Sequence, residues 1–185
     1  KADRIFINTG ATPFVPPVEG LTIGGAIHTS ETIMNLEEYP ESLVIIGSGF
    51  IGLEFAATYA QFGTKVTVID VTEEFLPRED EDVAQAVKEQ LEALGVTFNL
   101  GVQLKAVHQE GGKAVVEATT AEGAPVAFTT DAVLVATGRR ANVQGLDLDK
   151  AGVELTERGA IKVNEFLQTN VPHIFAMGDV NGGPQ

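Results

Sequence analysis

The sequence contains no cysteine, which excludes disulfide bonds, thiolate metal ligands and a thiol nucleophile within its 185 residues. Its three histidines, at positions 28, 108 and 173, have no metal-ligand spacing, so we predict no metal site. No apolar run approaches the roughly 20 residues that cross a bilayer. An initial methionine and a signal-peptide pattern are also lacking, and we expect the chain to be an excerpt of a longer protein.

Basic residues are scarce as well, with 12 lysines and arginines against 26 acidic residues and a formal net charge of −14. They form no cluster beyond Arg139 and Arg140. A surface of this charge repels nucleic-acid phosphates and anionic lipid headgroups, so we expect neither nucleic acid nor a membrane as a partner. The hydrophobic fraction of 44% and the length suffice for one sizeable core, or for one full domain carrying pieces of another.

Glycine, in contrast, is abundant, and three glycines stand in a spaced turn directly after the apolar run of residues 43–46: Gly47-Ser48-Gly49-Phe50-Ile51-Gly52. In such a turn the first glycine permits the tight bend, the second lets the backbone approach a pyrophosphate, and the third lets the next helix pack closely on the strand. The anion then lies at the helix N-terminus. We therefore predict a dinucleotide-binding turn; the alternative is an ordinary tight turn before a helix.

The chain after this turn supplies the rest of a dinucleotide-binding unit. An apolar helical stripe over residues 53–60 ends at Gly63, and a second apolar run, residues 66–69, ends in Asp70. Asp70 lies 70 − 47 = 23 positions beyond the first glycine. The usual spacing is about 20 for a carboxylate that binds the adenosine ribose, which we predict as the role of Asp70. The alternative is that Asp70 merely ends a strand in a turn.

The remaining patterns define the fold class. We predict buried strands at residues 5–8, 131–136 and 174–177, a short helix capped at residues 29–31, a helix over residues 80–94, and antiparallel strands at residues 103–109, 113–119 and 126–130. The predicted class is α/β, with a Rossmann-like parallel sheet, helices and an antiparallel three-stranded β-meander. The strands at 5–8 and 174–177 are expected side by side in a neighbouring sheet.

Five motifs together resemble those of the class I pyridine nucleotide-disulfide oxidoreductases, flavin-dependent enzymes that include dihydrolipoamide dehydrogenase and mercuric reductase. They are residues 7–11, the glycine turn continued through Leu53 and Glu54, residues 76–80, residues 136–140 and residues 177–179. Residues 156–163 and 178–183 are most similar to the bacterial branch that includes hypothiocyanous acid reductase. Proline usually follows the paired arginines in this family, and Ala141 departs from that pattern.

The resemblance implies a nicotinamide domain inserted into a flavin domain. Residues 40–142 are then the NAD(P)H-binding domain, residues 1–39 are a flavin-domain segment and linker, and residues 143–185 are a linker and a second flavin-domain segment. The flavin glycine motif, the redox cysteine pair and the interface domain are expected outside this chain, which accounts for the missing cysteines.

The resemblance also implies roles for single residues. The glycine turn of residues 47–52 would hold the NAD(P)H pyrophosphate, and Asp70 would accept both ribose hydroxyls. Because a carboxylate repels the 2′-phosphate of NADPH, we predict NADH as the favoured cofactor, although Arg78 could turn toward a phosphate. Glu54 is the predicted catalytic residue, directed at the nicotinamide and unpaired in this chain; the alternative is an acid that stabilises the helix.

Further predicted cofactor contacts come from the same resemblance. Leu104 would line the adenine side and Gly138 would let the cofactor lie against a strand end, although both could equally be packing residues. The FAD of the longer protein would be contacted by Thr9, Gly10, Ala11 and Asp179.

The function implied is that of an oxidoreductase in which hydride passes from NADH to FAD and electrons pass on to a redox cysteine pair. The whole protein is expected to be a cytoplasmic homodimer acting in redox homeostasis, with this chain alone inactive. One alternative is a non-catalytic dinucleotide-binding redox sensor. Another is a flavin reductase of the ferredoxin or NADH-oxidase type.

Overall fold

The computed structural model describes residues 2–183, and in it the chain divides into two compact units. The larger unit is one continuous segment from Pro13 to Gly138. The smaller unit combines the described residues up to Thr12 with those from Arg139 onward. Neither helix of the described residues has the length and apolar character needed to cross a membrane.

The regular elements are short. The strands are β1 (Ile5–Ile7), β2 (Ala11–Pro13), β3 (Ile27–Thr29), β4 (Ser42–Ile46), β5 (Lys65–Ile69), β6 (Thr97–Asn99), β7 (Gln103–Glu110), β8 (Lys113–Thr119), β9 (Pro125–Thr130), β10 (Ala132–Val135), β11 (Arg139–Ala141) and β12 (Ile174–Ala176). The α-helices are α1 (Phe50–Gln61) and α2 (Glu81–Ala93), and 3-10 turns cover Ile33–Asn35 and Gly178–Asn181.

The larger unit is built on a five-stranded sheet in the order β3-β10-β4-β5-β6, with every neighbouring pair parallel. Helix α1 connects β4 to β5, and α2 lies in the connection from β5 to β6. The two faces of β4 pack in different cores: Leu43 and Ile45 lie with the helices, while Val44 and Ile46 lie with residues of the meander. A strand buried on both faces has to be apolar throughout, which explains its unbroken hydrophobic run.

The second layer over this sheet is the antiparallel meander β7-β8-β9. Its inward-facing Val107, Ala114 and Val116 are almost fully buried against the sheet. The predicted fold class, α/β with a Rossmann-like parallel sheet and a three-stranded meander, is confirmed.

Helix α2 follows its predicted bounds closely. It runs from Glu81 to Ala93, with Asp80 and Leu94 as its capping residues and acidic side chains in its first turn. The helix capped at residues 29–31 is wrong. Thr29 instead ends β3 and donates its N–H to the hydroxyl of Thr32, after which a single 3-10 turn forms.

The smaller unit contains β1 and β12 as a parallel pair, with Ile5 opposite Ile174 and Ile7 opposite Ala176. This pairing was predicted and is confirmed. The predicted burial of residues 5–8 is wrong, because Phe6 is 56% exposed and Ile5 39% exposed. Within the described residues β1 pairs with β12 alone, and the Phe6 ring stacks on Phe175, with ring centroids 5.2 Å apart.

Candidate functional site

The glycine turn after β4 is shaped by two glycines that have no space for a side chain. Gly47 has a φ of +112°, and a Cβ there would lie 2.5 Å from the carbonyl oxygen of Ala136. A Cβ on Gly52 would lie 2.1 Å from the carbonyl oxygen of Gly47 and 3.3 Å from Ile45. Gly47 therefore serves the bend of the chain, and Gly52 the close approach of α1 to β4.

Gly49, the middle glycine, differs from the other two. Its φ of −75° is open to any residue, and a Cβ there would meet nothing within 4 Å. It is the N-cap of α1 and has no side chain to accept the N–H groups of the first turn, which lack partners within a helix. In the described structure, accessible backbone and N–H groups without a helical partner therefore occur together at the start of α1. An anion such as a pyrophosphate requires both features.

Phe50 and Ile51 begin α1 beside this space. Phe50 is 65% exposed, and Ile51 is partly buried. Their backbone N–H groups belong to the first turn of α1, whose N–H groups lack partners within the helix.

Asp70 follows directly on β5, and its carboxylate accepts four hydrogen bonds. Oδ2 accepts from the Ser48 N–H at 2.6 Å and the Ser48 hydroxyl at 2.8 Å. Oδ1 accepts from the Thr72 N–H and hydroxyl, both at 2.9 Å. The carboxylate is thereby fixed against the glycine turn.

The environment of Asp70 favours its ionised form. Partial burial raises the pKa of the Asp70 carboxyl, but the four hydrogen bonds from Thr72 and Ser48 more than offset this, so the pKa lies below its ordinary value. The site therefore holds a carboxylate with an intact negative charge at neutral pH, which is an acceptor for hydroxyl donors and repels phosphate.

Backbone contacts bring further predicted site residues to the same edge of the sheet. The Gly47 N–H donates to the Ile69 carbonyl at the end of β5, and the Ala136 N–H donates to the Ile46 carbonyl at the end of β4. The segment after β10 thus lies against the glycine turn. Gly138 closes this segment with a φ of +115° and free space at its Cβ position.

Leu104 is tied to the same edge through its own segment. The Val102 N–H donates to the Asp70 carbonyl at 2.8 Å, which places the start of β7 beside the carboxylate. Leu104 itself is partly buried against the core shared by the sheet and the meander. The edge at which these residues meet is the carboxyl end of parallel strands, where ligands bind in open α/β sheets.

Glu54 lies on the exposed side of α1, two positions after Gly52, the last glycine of the motif. Within residues 2–183 its carboxylate forms no ion pair. It lies on the rim of an apolar groove of about 570 Å³ between α1 and α2, together with Phe50, Val83 and Val87.

The predicted flavin contacts lie in the smaller unit. Thr9 and Gly10 follow β1, and Asp179 follows β12, so both segments leave the same end of a parallel pair. The Thr9 hydroxyl and the Gly10 carbonyl are held by the backbone of Asn142. Ala11 begins β2, and its carbonyl accepts a hydrogen bond from the Arg139 guanidinium.

Thr72 is a candidate site residue that the sequence analysis did not assign. Part of its signal is present in the sequence, since an aspartate in a turn commonly accepts the backbone N–H two residues later, as Asp70 does from Thr72. Ser48 was assigned through its place in the glycine turn, whereas its hydroxyl also contacts Asp70.

Comparison with known proteins gives consistent matches. A family model described as pyridine nucleotide-disulphide oxidoreductase matches residues 1–185. The chain is 40% identical over 183 residues to the probable pyridine nucleotide-disulfide oxidoreductase RclA of Escherichia coli (strain K12), covering 99% of this chain and 40% of that protein. It is 40% identical over 187 residues to dihydrolipoyl dehydrogenase of Bacillus subtilis (strain 168), covering 100% of this chain and 39% of that protein.

Solved structures agree. The Cu(II) complex of the HOCl-induced flavoprotein disulfide reductase RclA from Escherichia coli matches with a TM-score of 0.92 and 38% identity over 99% of this chain and 40% of that one. LpdA from Mycobacterium tuberculosis matches with a TM-score of 0.88 and 29% identity, covering 99% of this chain and 39% of that one. The chain spans about two fifths of the length of the curated relatives that it matches.

Proposed function

Because the chain belongs to the pyridine nucleotide-disulphide oxidoreductase family, we propose that it supplies the nicotinamide-dinucleotide-binding part of an FAD-dependent disulfide oxidoreductase. The observation that carries this proposal is the pairing of an open glycine, Gly49, at the first turn of α1 with the ionised carboxylate of Asp70. The first feature suits a pyrophosphate and the second suits a ribose diol. Their combination fits a dinucleotide better than either would fit alone.

The residues of this chain would bind and orient the cofactor. The N–H groups at the start of α1 donate to the pyrophosphate, aided by the helix dipole. Asp70 accepts the ribose hydroxyls, Leu104 packs on the adenine side, and Gly138 leaves the strand end open. In the whole protein, the chemistry supplied by bound nicotinamide and FAD is hydride transfer, with electrons passed on to a cysteine pair outside this chain.

Glu54 has the role of a polar group beside the nicotinamide. Its exposure and its lack of an ion pair within the described residues leave the carboxylate available to a partner group in the rest of the protein. Thr9, Gly10, Ala11 and Asp179 would contribute to the FAD site. The other partner is the remainder of the flavoprotein chain, in a cytoplasmic homodimer, since the cytoplasm is where NADH is available as a reductant.

NADH is the cofactor that this site favours over NADPH. The 2′-phosphate of NADPH would bring negative charge against the Asp70 carboxylate and has no hydroxyl proton to donate to it. Val71 and Thr72 offer no cationic group to compensate. The preference for NADH over NADPH is therefore assigned to the negative charge of Asp70, the residue that follows β5.

Calorimetric titration of this chain with NADH and with NADPH tests the proposal. We expect NADH to bind more tightly, and Asp70→Arg to reverse the order, because the guanidinium attracts the phosphate that the carboxylate repels. Glu73→Arg is the matched control, since it makes the same charge change at an exposed position in the same loop. No binding of either dinucleotide at millimolar concentration would contradict the proposal, and tighter NADPH binding would contradict the role of Asp70.

A further inference from the structure

The Asp70 carboxylate is saturated with donors in this structure. A carboxylate offers about four lone-pair positions to hydrogen-bond donors. The Ser48 N–H and hydroxyl occupy two at Oδ2, and the Thr72 N–H and hydroxyl occupy two at Oδ1. A ribose diol that binds Asp70 therefore has to take positions that are already filled.

The four donors differ in how easily they can leave. The two N–H groups are held by the backbone. The Ser48 N–H is part of the glycine turn, and the position of Thr72 is held by the hydrogen bond that its carbonyl accepts from the Gly101 N–H. The two hydroxyls sit on side chains that can rotate about a single bond. One hydroxyl lies on each carboxylate oxygen, which is the number and distribution of donors that a vicinal diol presents.

We propose that the Ser48 and Thr72 hydroxyls form a displaceable clamp that sets the affinity of this site for the adenosine ribose. They hold the Asp70 carboxylate in place before the cofactor arrives, and they yield their two acceptor positions to the 2′ and 3′ hydroxyls when it binds. The inference rests on the proposed function, and it assigns Ser48 and Thr72 as residues that determine affinity through Asp70.

The clamp lowers the net gain from binding because the diol replaces existing hydrogen bonds instead of adding new ones. Removing a clamp hydroxyl leaves Asp70 short of a donor in the free chain, and the cofactor then supplies it. Ser48 is 5% exposed and Thr72 is exposed, so in the free chain water replaces a lost Thr72 hydroxyl more fully than a lost Ser48 hydroxyl. The effect of losing the Ser48 hydroxyl should therefore be the larger.

The test is calorimetric titration of NADH into this chain and into Ser48→Ala, Thr72→Val and the double variant. We expect the dissociation constant to fall about three- to tenfold for Ser48→Ala and about twofold for Thr72→Val, as one net hydrogen bond implies. Thr129→Val is the matched control, because Thr129 is an exposed hydroxyl on β9, remote in sequence from the site. Circular dichroism establishes that each variant is folded before titration.

A pH series supplies a readout that a purely structural role would not change. In the unsubstituted chain Asp70 has four donors with and without NADH, whereas the double variant lacks two of them until NADH binds. The affinity of the double variant for NADH, divided by that of the unsubstituted chain, should therefore be largest near pH 7. It should shrink as the pH falls, because the variant's Asp70 carboxyl, lacking two donors, protonates first. Glu73 and Glu74 are further carboxylates in the same loop, and Glu73→Gln controls for a change of charge there.

The outcomes separate this inference from the proposed function. Tighter binding of NADH by Ser48→Ala, with the smaller gain for Thr72→Val, supports the clamp. Unchanged or weaker binding by the folded variants overturns it while leaving the dinucleotide site intact. Absence of NADH binding by the unsubstituted chain overturns the proposed function, and the clamp with it.

Discussion

The glycine turn allows fold stability and ligand binding to be perturbed separately. Gly52→Ala places a Cβ 2.1 Å from the Gly47 carbonyl oxygen, where ordinary contact begins at 3.4 Å. The helix would have to move by about 3.4 − 2.1 = 1.3 Å, or the turn would have to open. The position of the Cβ is fixed by the backbone and the oxygen is a backbone atom, so no side-chain rotation relieves the contact.

The magnitude follows from two opposing contributions. Overpacking a close backbone contact costs about 3 kcal/mol at the upper end of the usual range. Alanine within a helix recovers about 0.5–1 kcal/mol relative to glycine. We therefore expect Gly52→Ala to lower the free energy of unfolding by about 2 kcal/mol, measured by urea denaturation followed by circular dichroism.

Gly49→Ala is the matched counterpart, because its Cβ meets nothing within 4 Å and its φ of −75° suits alanine. Its unfolding free energy should stay within about 1 kcal/mol of the unsubstituted value. The added methyl group, however, occupies the space through which a pyrophosphate approaches the α1 N–H groups, so NADH binding should weaken by about tenfold or more. If Gly52→Ala is as stable as the unsubstituted chain, or Gly49→Ala binds NADH normally, the separate roles of the two glycines are refuted.

Two further variants probe the core around the site. Asp70→Asn should destabilise the chain by about 1–2 kcal/mol at pH 7. Because the folded-state pKa of Asp70 is lowered, this difference in unfolding free energy is fully present above the unfolded-state pKa of about 4 and is lost as the pH falls through the folded-state pKa. Urea denaturation at several pH values measures this dependence. Tyr59→Phe should cost about 1 kcal/mol by the same assay, since the buried Tyr59 hydroxyl donates to the Ile33 carbonyl at 3.2 Å. Equal stability of this variant and the unsubstituted chain would contradict that contribution.

Much of the larger unit could be predicted because its signals are local. The run of residues 43–46, the glycine turn and the acid at position 70 follow one another within 30 residues, and α2 carries both of its caps in its own sequence. The family resemblance, confirmed by the comparisons, used motifs of the same local kind. Periodicity and turn residues are sufficient where an element is specified by its neighbours in the chain.

Other elements depend on partners far away in the sequence. β3 has three residues and no alternating pattern of its own, and it is a strand because Ile27 pairs with Val133, 133 − 27 = 106 positions later. The exposure of Phe6 likewise depends on what covers β1, which an apolar run does not encode. Four hydrogen bonds on one carboxylate require two segments, at Ser48 and Thr72, to meet in space.

The net charge of −14 also bears on how an anionic dinucleotide could bind here. Long-range repulsion between exposed charges is largely screened beyond about 8 Å at physiological ionic strength. The N–H groups of α1 act within hydrogen-bond distance, and the helix dipole adds roughly half a positive charge at the same point. Asp70 would accept uncharged hydroxyls, so its negative charge need not meet a phosphate. In the proposed site, short-range dipoles at Gly49 would therefore bind the anionic part of the ligand while the carboxylate binds its neutral part, and the screened charge of the remaining surface opposes this arrangement only weakly.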